Sequence, residues 1–400
     1  GRARCTPWSS SVASDVYKGR EFLRYGVHRS GREFVTMVRP YDVSYDVPAR
    51  VYARPEHAPV AWTGDNHRNW DGLIDALDHT FRSAQAGYVV IGSDIGGYLD
   101  RDQDDLLVTI PFDQEVFARW VAMSGMMPFF QLHGRANLEP WNIEERTEET
   151  IALYRYWATL HHEMVPFWYS LSEDAYAASD SVVHPIGAGV DDWAGDWRYL
   201  VGDAILVAPV LEAGGVRDVE LPAGTWYDWW SGEAVTGGTT LAAYAGATDR
   251  ARIPIFVREG AVVPMEIDSD VTGFGNAASA GHLTVASWLP SIGAGDSSFT
   301  LHREGATDAD DSTATLVAEP RGFAIQGAAA DERFLLRLRV ALGVAEVVTG
   351  VEIDGSASTP HVDRAAFDAA TEGWFVDADG LVWVKLDAGA PDRTVVLQTT

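Results

Sequence analysis

The first 140 residues repeat one rhythm: a short apolar run, a polar loop, then an amphipathic stretch with apolar residues three and four apart. That alternation restricts the fold to β/α units around a parallel sheet, because strands joined by crossover helices pair in parallel and are covered on both faces. Residues 33–39 (EFVTMVR) read as a buried strand ending at Arg39-Pro40. Residues 59–62 form the next, and Trp70, Leu73, Ile74, Leu77 and Phe81 then recur on one face of a helix. A strand over 88–91 opens into Gly92-Ser93-Asp94-Ile95-Gly96-Gly97, and a helix near 115–124 follows. The pattern predicts a strand over 127–132 leading to His133-Gly134, then one long helix over about 148–169 that ends near Pro166. Arg39, Asp65, Asp94 and His133 each fall just past the C-terminal end of one of these strands. In a (β/α)8 barrel, that rim is where active sites are assembled.

From about residue 184 the texture changes to short strands separated by Gly, Pro and Asp turns, as in 204–210 (AILVAPV), 216–230 (VRDVELPAGTWYDWW) and 253–265 (IPIFVREGAVVPM). This reads as a β-sandwich packed against the barrel, with Pro264 near its boundary. The remainder, with apolar runs at 334–340 and 346–353, reads as a smaller second β-sandwich. The acidic run DADD at 308–311 is expected to be a solvated turn rather than a calcium loop, because no second ligand set stands at the required spacing.

Composition removes several function classes. With 30 basic and 58 acidic residues the formal charge is -28, which repels nucleic acid and anionic membranes. No apolar run approaches the roughly 20 residues that span a bilayer. The acidic groups are scattered, and Lys18 and Lys385 are the only lysines, so the charge describes a solvated surface rather than a binding tail. The one cysteine, Cys5, fits a reducing, cytoplasmic setting. The 15 Trp and 14 Tyr suit sugar rings, although core packing accounts for most of them.

The chemistry concentrates at 62–66 (WTGDN). Hydrolysing a glycosidic bond with retention requires two carboxyl groups about 5 to 5.5 Å apart, one attacking the anomeric carbon and one protonating the departing oxygen. Asp65 stands on a glycine-flanked turn after a strand, beside Trp62, whose ring lowers the local polarity and favours a protonated acid. Taken alone, Asp65-Asn66 before a helix also reads as an N-cap.

Together the motifs resemble glycoside hydrolase family 31. WTGDN with its helix, 87–98 (GYVVIGSDIGGY), 128–134 (PFFQLHG) with 139–141 (EPW), 199–210 (YLVGDAILVAPV), 221–232 (LPAGTWYDWWSG) and 253–265 are similar to the family in order and spacing, over about 250 residues. The resemblance implies α/β plus all-β architecture: the second half of a (β/α)8 TIM barrel over 1–183, a proximal β-sandwich over 184–267 and a distal one over 268–400. It implies Asp65 as general acid/base, Trp62 as an aromatic wall of the −1 subsite, and Arg39 as the arginine supporting the catalytic carboxylates, with Arg54 as its rival. Asp94 and Tyr98 resemble the pocket-lining acid and aromatic, and His133 the histidine that donates to a sugar hydroxyl.

Two departures stand out. Many members carry arginine where this chain has Gln131, and the family nucleophile, an aspartate well upstream of the acid/base, has no counterpart here; Asp15 falls in a stretch read as helix. The expected activity is that of a retaining exo-α-glycosidase acting on terminal α-linked sugars, an α-glucoside by default, with its nucleophile upstream and with no metal or organic cofactor. The chain alone is expected to be inactive and poorly soluble. A transglycosylase and a non-catalytic carbohydrate-binding subunit are the alternatives. The expected partner is a small carbohydrate, with no nucleic acid and no membrane.

Overall fold

A computed structural model describes residues 36–40, 54–102, 105–135, 138–244, 249–303, 313–343 and 345–400. Cys5, Asp15, Lys18, the helix expected around Asp15, most of the strand expected over 33–39 and the acidic run at 308–311 lie outside them.

Strands β1 (Met37–Val38), β2 (Val60–Trp62) and β3 (Val90–Gly92) form a parallel sheet in that order, with Met37 opposite Val60 and Ala61 opposite Ile91. Helix α1 (Trp70–Gln85) connects β2 to β3 and buries Leu73, Leu77 and Phe81, as its spacing predicts. Its N-cap is Asn69, whose side chain accepts from the Gly72 N–H, so Asp65-Asn66 does not cap it. Helix α2 (Gln114–Gly125) is buried along its whole length, polar residues included. It tolerates this because Arg119 donates to the carbonyls of Asp249 and Arg252 and to Glu115, which ties the barrel-side layer to the following sheet.

Two expectations are corrected. The long helix over 148–169 is two helices, α3 (Thr147–Glu163) and α4 (Val165–Ala178), joined at Met164. Pro166 stands in the first turn of α4, where its missing N–H costs no helical bond, so it starts a helix rather than ending one. The strand over 127–132 is reduced to a single parallel bridge between Asp94 and Gln131, supported by the Ile95 N–H donating to the Gln131 carbonyl. The backbone runs so close to β3 that a Cβ on Gly92 would meet the Phe129 carbonyl oxygen at 2.1 Å.

Beyond residue 183 the regular structure is mostly sheet. An antiparallel six-stranded sheet orders Val183–Pro185, Tyr199–Val201, Ile205–Val207, Ile255–Arg258, Thr225–Asp228 and Ala234–Thr236; Arg217–Leu221 and Thr239–Tyr244 pair separately. Val262–Glu266 leaves this sheet and pairs with Leu283–Trp288, at the edge of a five-stranded sheet completed by Phe334–Arg339, Val382–Leu386 and Gly373–Val376. Its Val285, Leu336 and Val384 share one core with Leu316, Phe323 and Val395 of a last six-stranded sheet. Among the described residues no helix is long and apolar enough to cross a membrane.

Candidate active site

Of the residues singled out from sequence, Arg39, Trp62, Asp65 and Asp94 stand at or just past the C-terminal ends of the parallel strands, and Tyr98 and His133 lie on the segments beyond. Arg39 follows β1, and its Nη1 lies 3.4 Å from the Asp65 Oδ1, while its guanidinium carbon is 5.3 Å from the centre of the Trp62 ring. Asp65 is one-third exposed, so its carboxyl is open to solvent and to a ligand. The turn that carries it depends on Gly64, which has φ +87° and faces the Arg39 guanidinium; a Cβ there would come within 2.1 Å of the Arg39 Nε. Only glycine allows arginine and acid to meet in this way.

The loop after β3 is tied to the Asp65 loop. The Leu99 N–H donates to the Asn66 carbonyl and the Arg68 N–H to the Leu99 carbonyl, and Arg68 in turn donates its Nε to the Ile110 carbonyl at 2.8 Å. Gly97, with φ +80°, admits this approach, since a Cβ would lie 2.6 Å from the Arg68 Cα. Beneath the loop, the Trp120 indole donates to Ser93 Oγ at 2.8 Å and fixes the residue before Asp94.

Asp94 is completely buried. Its Oδ1 accepts from the Gln131 side-chain amide at 2.6 Å. Its Oδ2 and the Trp62 Nε1 are both buried and form no full hydrogen bond, yet the indole N–H lies close enough to favour the carboxylate. Burial pushes the Asp94 carboxyl up to about 6, against the pull of the Gln131 and Trp62 N–H groups and of His133, while the charge of Asp65 adds to the rise. Tyr98 and His133 complete the group, with ring centres 5.2 Å apart.

All six expected residues are therefore linked by contact or by charge. Arg54 is exposed at the start of the Pro55–His57 turn, and no described contact joins it to Asp65. The sequence placed the low-polarity environment around Asp65; the structure places the arginine there and the burial around Asp94. Sequence reasoning missed Glu163, a buried carboxyl at the end of α3 that burial pushes up to about 7. Its His-His-Glu context gives no sign of burial. A cleft of about 610 Å³ lies elsewhere, between α4 and the later sheets, and contains none of the six.

Residues 49–171 match the glycosyl hydrolases family 31 TIM-barrel domain, and residues 165–263 match the glycosyl hydrolase family 31 C-terminal domain. A 1,6-alpha-glucosyltransferase of Sporosarcina globispora is 26% identical over 378 residues, covering 86% of this chain and 28% of that protein. An alpha-glucosidase of Saccharolobus solfataricus is 27% identical over 54% of this chain and 30% of its own length. The neutral alpha-glucosidase AB of Homo sapiens is 32% identical over 57% of the chain and 23% of that protein. The chain thus spans less than a third of the length of these relatives. Among solved structures, the cycloalternan-forming enzyme from Listeria monocytogenes in complex with a pentasaccharide substrate superposes with a TM-score of 0.75 at 20% identity, over 95% of this chain and 35% of that one. A GH31 dextranase of Flavobacterium johnsoniae gives 0.69 at 18% identity, over 94% and 47%.

Proposed function

Because the chain belongs to glycoside hydrolase family 31, we propose that it carries the acid/base side of a retaining exo-α-glycosidase site that removes terminal α-linked sugars. Asp65 protonates the departing glycosidic oxygen and then, as a base, takes a proton from the water that cleaves the glycosyl-enzyme. The nucleophile is an aspartate outside the described residues. Arg39 fixes the Asp65 carboxyl, Trp62 walls the −1 sugar, and Tyr98 and His133 line its far side. The observation that carries this reading is the Arg39–Asp65 pair at 3.4 Å on the face of Trp62, with the carboxyl still one-third open at the strand ends.

The proposed architecture is the second half of a (β/α)8 barrel followed by two β-sandwiches. Pairing of Val262–Glu266 with Leu283–Trp288 supports a second boundary near Gly260-Ala261, earlier than the 267/268 read from sequence. The experiment is Asp65→Asn in the full-length protein. Turnover of α-glucosides with poor leaving groups should be abolished, while aryl glycosides whose leaving group needs no proton keep their glycosylation rate. Equal loss on both substrate types removes the acid role.

Transglycosylation is a second reading, favoured by one finding: the relative that spans 86% of the chain is a glucosyltransferase. There a sugar hydroxyl replaces water as the acceptor, with Asp65 as the same base. Product analysis at high substrate concentration separates the two, since a hydrolase releases only free sugar and a transferase accumulates longer oligosaccharides.

A further inference from the structure

Asp94 is a buried carboxyl that makes no ion pair with an arginine or lysine among the described residues. Its residue is fully buried, and its one full side-chain hydrogen bond comes from a neutral amide, that of Gln131 at 2.6 Å. Arg39 pairs with Asp65 and lies over the Trp62 ring. The charged groups that act on Asp94 are His133, from the segment bearing Gln131, and Asp65, from the loop after β2; one favours its charge and the other opposes it. The carboxyl also joins two strand ends and a bridged segment, because Trp62 closes β2, Asp94 follows β3, and Gln131 is bridged to Asp94 through the backbone.

We propose that Gln131 is the positioning residue of this site: by offering Asp94 an amide in place of a cation, it leaves the carboxyl able to exchange a proton, and that proton decides whether the Trp62 indole is held in the sugar-binding arrangement. The proposal rests on the glycosidase reading above and deepens it. With Oδ1 occupied by the Gln131 amide, the proton resides on Oδ2, the oxygen left without a hydrogen-bond partner; the Trp62 N–H, likewise without a full hydrogen bond, acts on the same carboxyl. Ionised, Oδ2 attracts the indole N–H and fixes the wall of the −1 subsite. Protonated, Oδ2 loses the negative charge that attracts the indole N–H and is left a weaker acceptor, so the anchor of the indole weakens. Asp94 is thus a proton-operated latch beneath the sugar, closed when ionised, with its exchange near pH 6.

The sign follows from that arrangement. Sugar binding strengthens as pH rises through the Asp94 midpoint, and kcat/KM falls about tenfold per pH unit below it. The test compares wild type with Gln131→Arg and Gln131→Leu in the full-length protein. Infrared difference spectra against Asp94→Asn isolate the carboxylic-acid C=O band of this one group. In wild type the band should titrate near pH 6. Gln131→Arg supplies a cation and should move the midpoint down by about one pH unit or more, and Gln131→Leu removes the donor and should move it up. The acid limb of kcat/KM on an α-glucoside should follow the same two displacements in opposite directions.

A band that does not titrate, or a midpoint unmoved in both variants, overturns the proposal. So does an acid limb that stays in place while both variants merely lower the rate at every pH, which is what a structural role alone would give. If the band shifts as described but no glycoside is turned over, the control of the Asp94 proton by Gln131 stands and the glycosidase reading fails. The spectra and the rates therefore judge the two claims separately.

Discussion

Replacing Glu163 by glutamine should change how stability depends on pH, by an amount that follows from the geometry. The carboxyl ends α3 at 1% exposure; Oε2 accepts from Thr272 Oγ1 at 2.5 Å, and Oε1 has no hydrogen-bond partner among the described residues. Burial pushes it from 4.5 up to about 7, with Asp268 adding to the rise. A raised carboxyl means that the folded state keeps a proton which the unfolded chain releases, so its contribution is fully present below 4.5 and is lost as pH rises through about 7. At about 1.4 kcal/mol per pH unit, with both ends of the interval rounded by titration, wild type gives up on the order of 2.5 kcal/mol between pH 5 and pH 8. Glutamine has no proton to release there, and it can turn its oxygen to Thr272. Glu163→Gln should therefore gain about 2.5 kcal/mol on wild type between those two pH values, or roughly 5–10 °C in Tm for a cooperative unit of 150–250 residues. Denaturant or thermal melts of both proteins at the two pH values measure it, and the subtraction cancels the titrations they share. A gap constant within about 0.5 kcal/mol would refute the assignment of a buried, proton-holding Glu163.

Two further substitutions test the packing behind the site and behind the last sheets. Gly64→Ala places a Cβ 2.1 Å from the Arg39 Nε at φ +87°, so it should cost about 1–2 kcal/mol of backbone strain and displace the arginine from Asp65. Turnover should fall roughly tenfold or more, and unchanged kcat/KM would take Arg39 out of the site. Lys385→Met should destabilise the C-terminal unit by roughly 2–4 kcal/mol in denaturant melts. The lysine is buried, and its Nζ donates to the carbonyls of Phe367, Asp368 and Ala370 at 3.0–3.1 Å, closing the end of the Arg364–Ala369 helix.

How far the sequence could be read depended on whether a signal was periodic or tertiary. The apolar spacing of α1 marks its buried face, because that face needs no knowledge of what it packs on, while its end at Gln85 lies beyond the last apolar position of the pattern, Phe81. The run at 127–132 was misread as a strand because apolar character does not say whether a segment has ladder partners; here it makes one bridge. Pro166 reads as a terminator in the sequence because proline at a helix start and proline after a helix end look alike until the preceding residues are seen to finish a separate helix at Glu163. The strand Val262–Glu266 follows its predecessor by three residues, and the sequence holds no mark that it joins a different sheet.

The candidate site shows the same division at the level of single carboxyls. Asp65, Asp94 and Glu163 carry the same functional group, and the sequence distinguishes only their neighbours along the chain. The fold gives them three different partners: a guanidinium and open solvent for Asp65, an amide and an indole without water for Asp94, and a threonine hydroxyl without water for Glu163. A cation favours charge, whereas burial opposes it, so the group best placed to hold a proton near neutral pH is set by which side chains the strand ends bring together. That is why Trp62, adjacent in sequence to the Asp65 turn, was read as the wall that dries Asp65, although in three dimensions its N–H faces Asp94. Gln131 was legible only as a missing arginine. Its effect, a buried carboxyl held by an amide rather than a guanidinium, exists only once the Asp94 and Gln131 backbones are bridged.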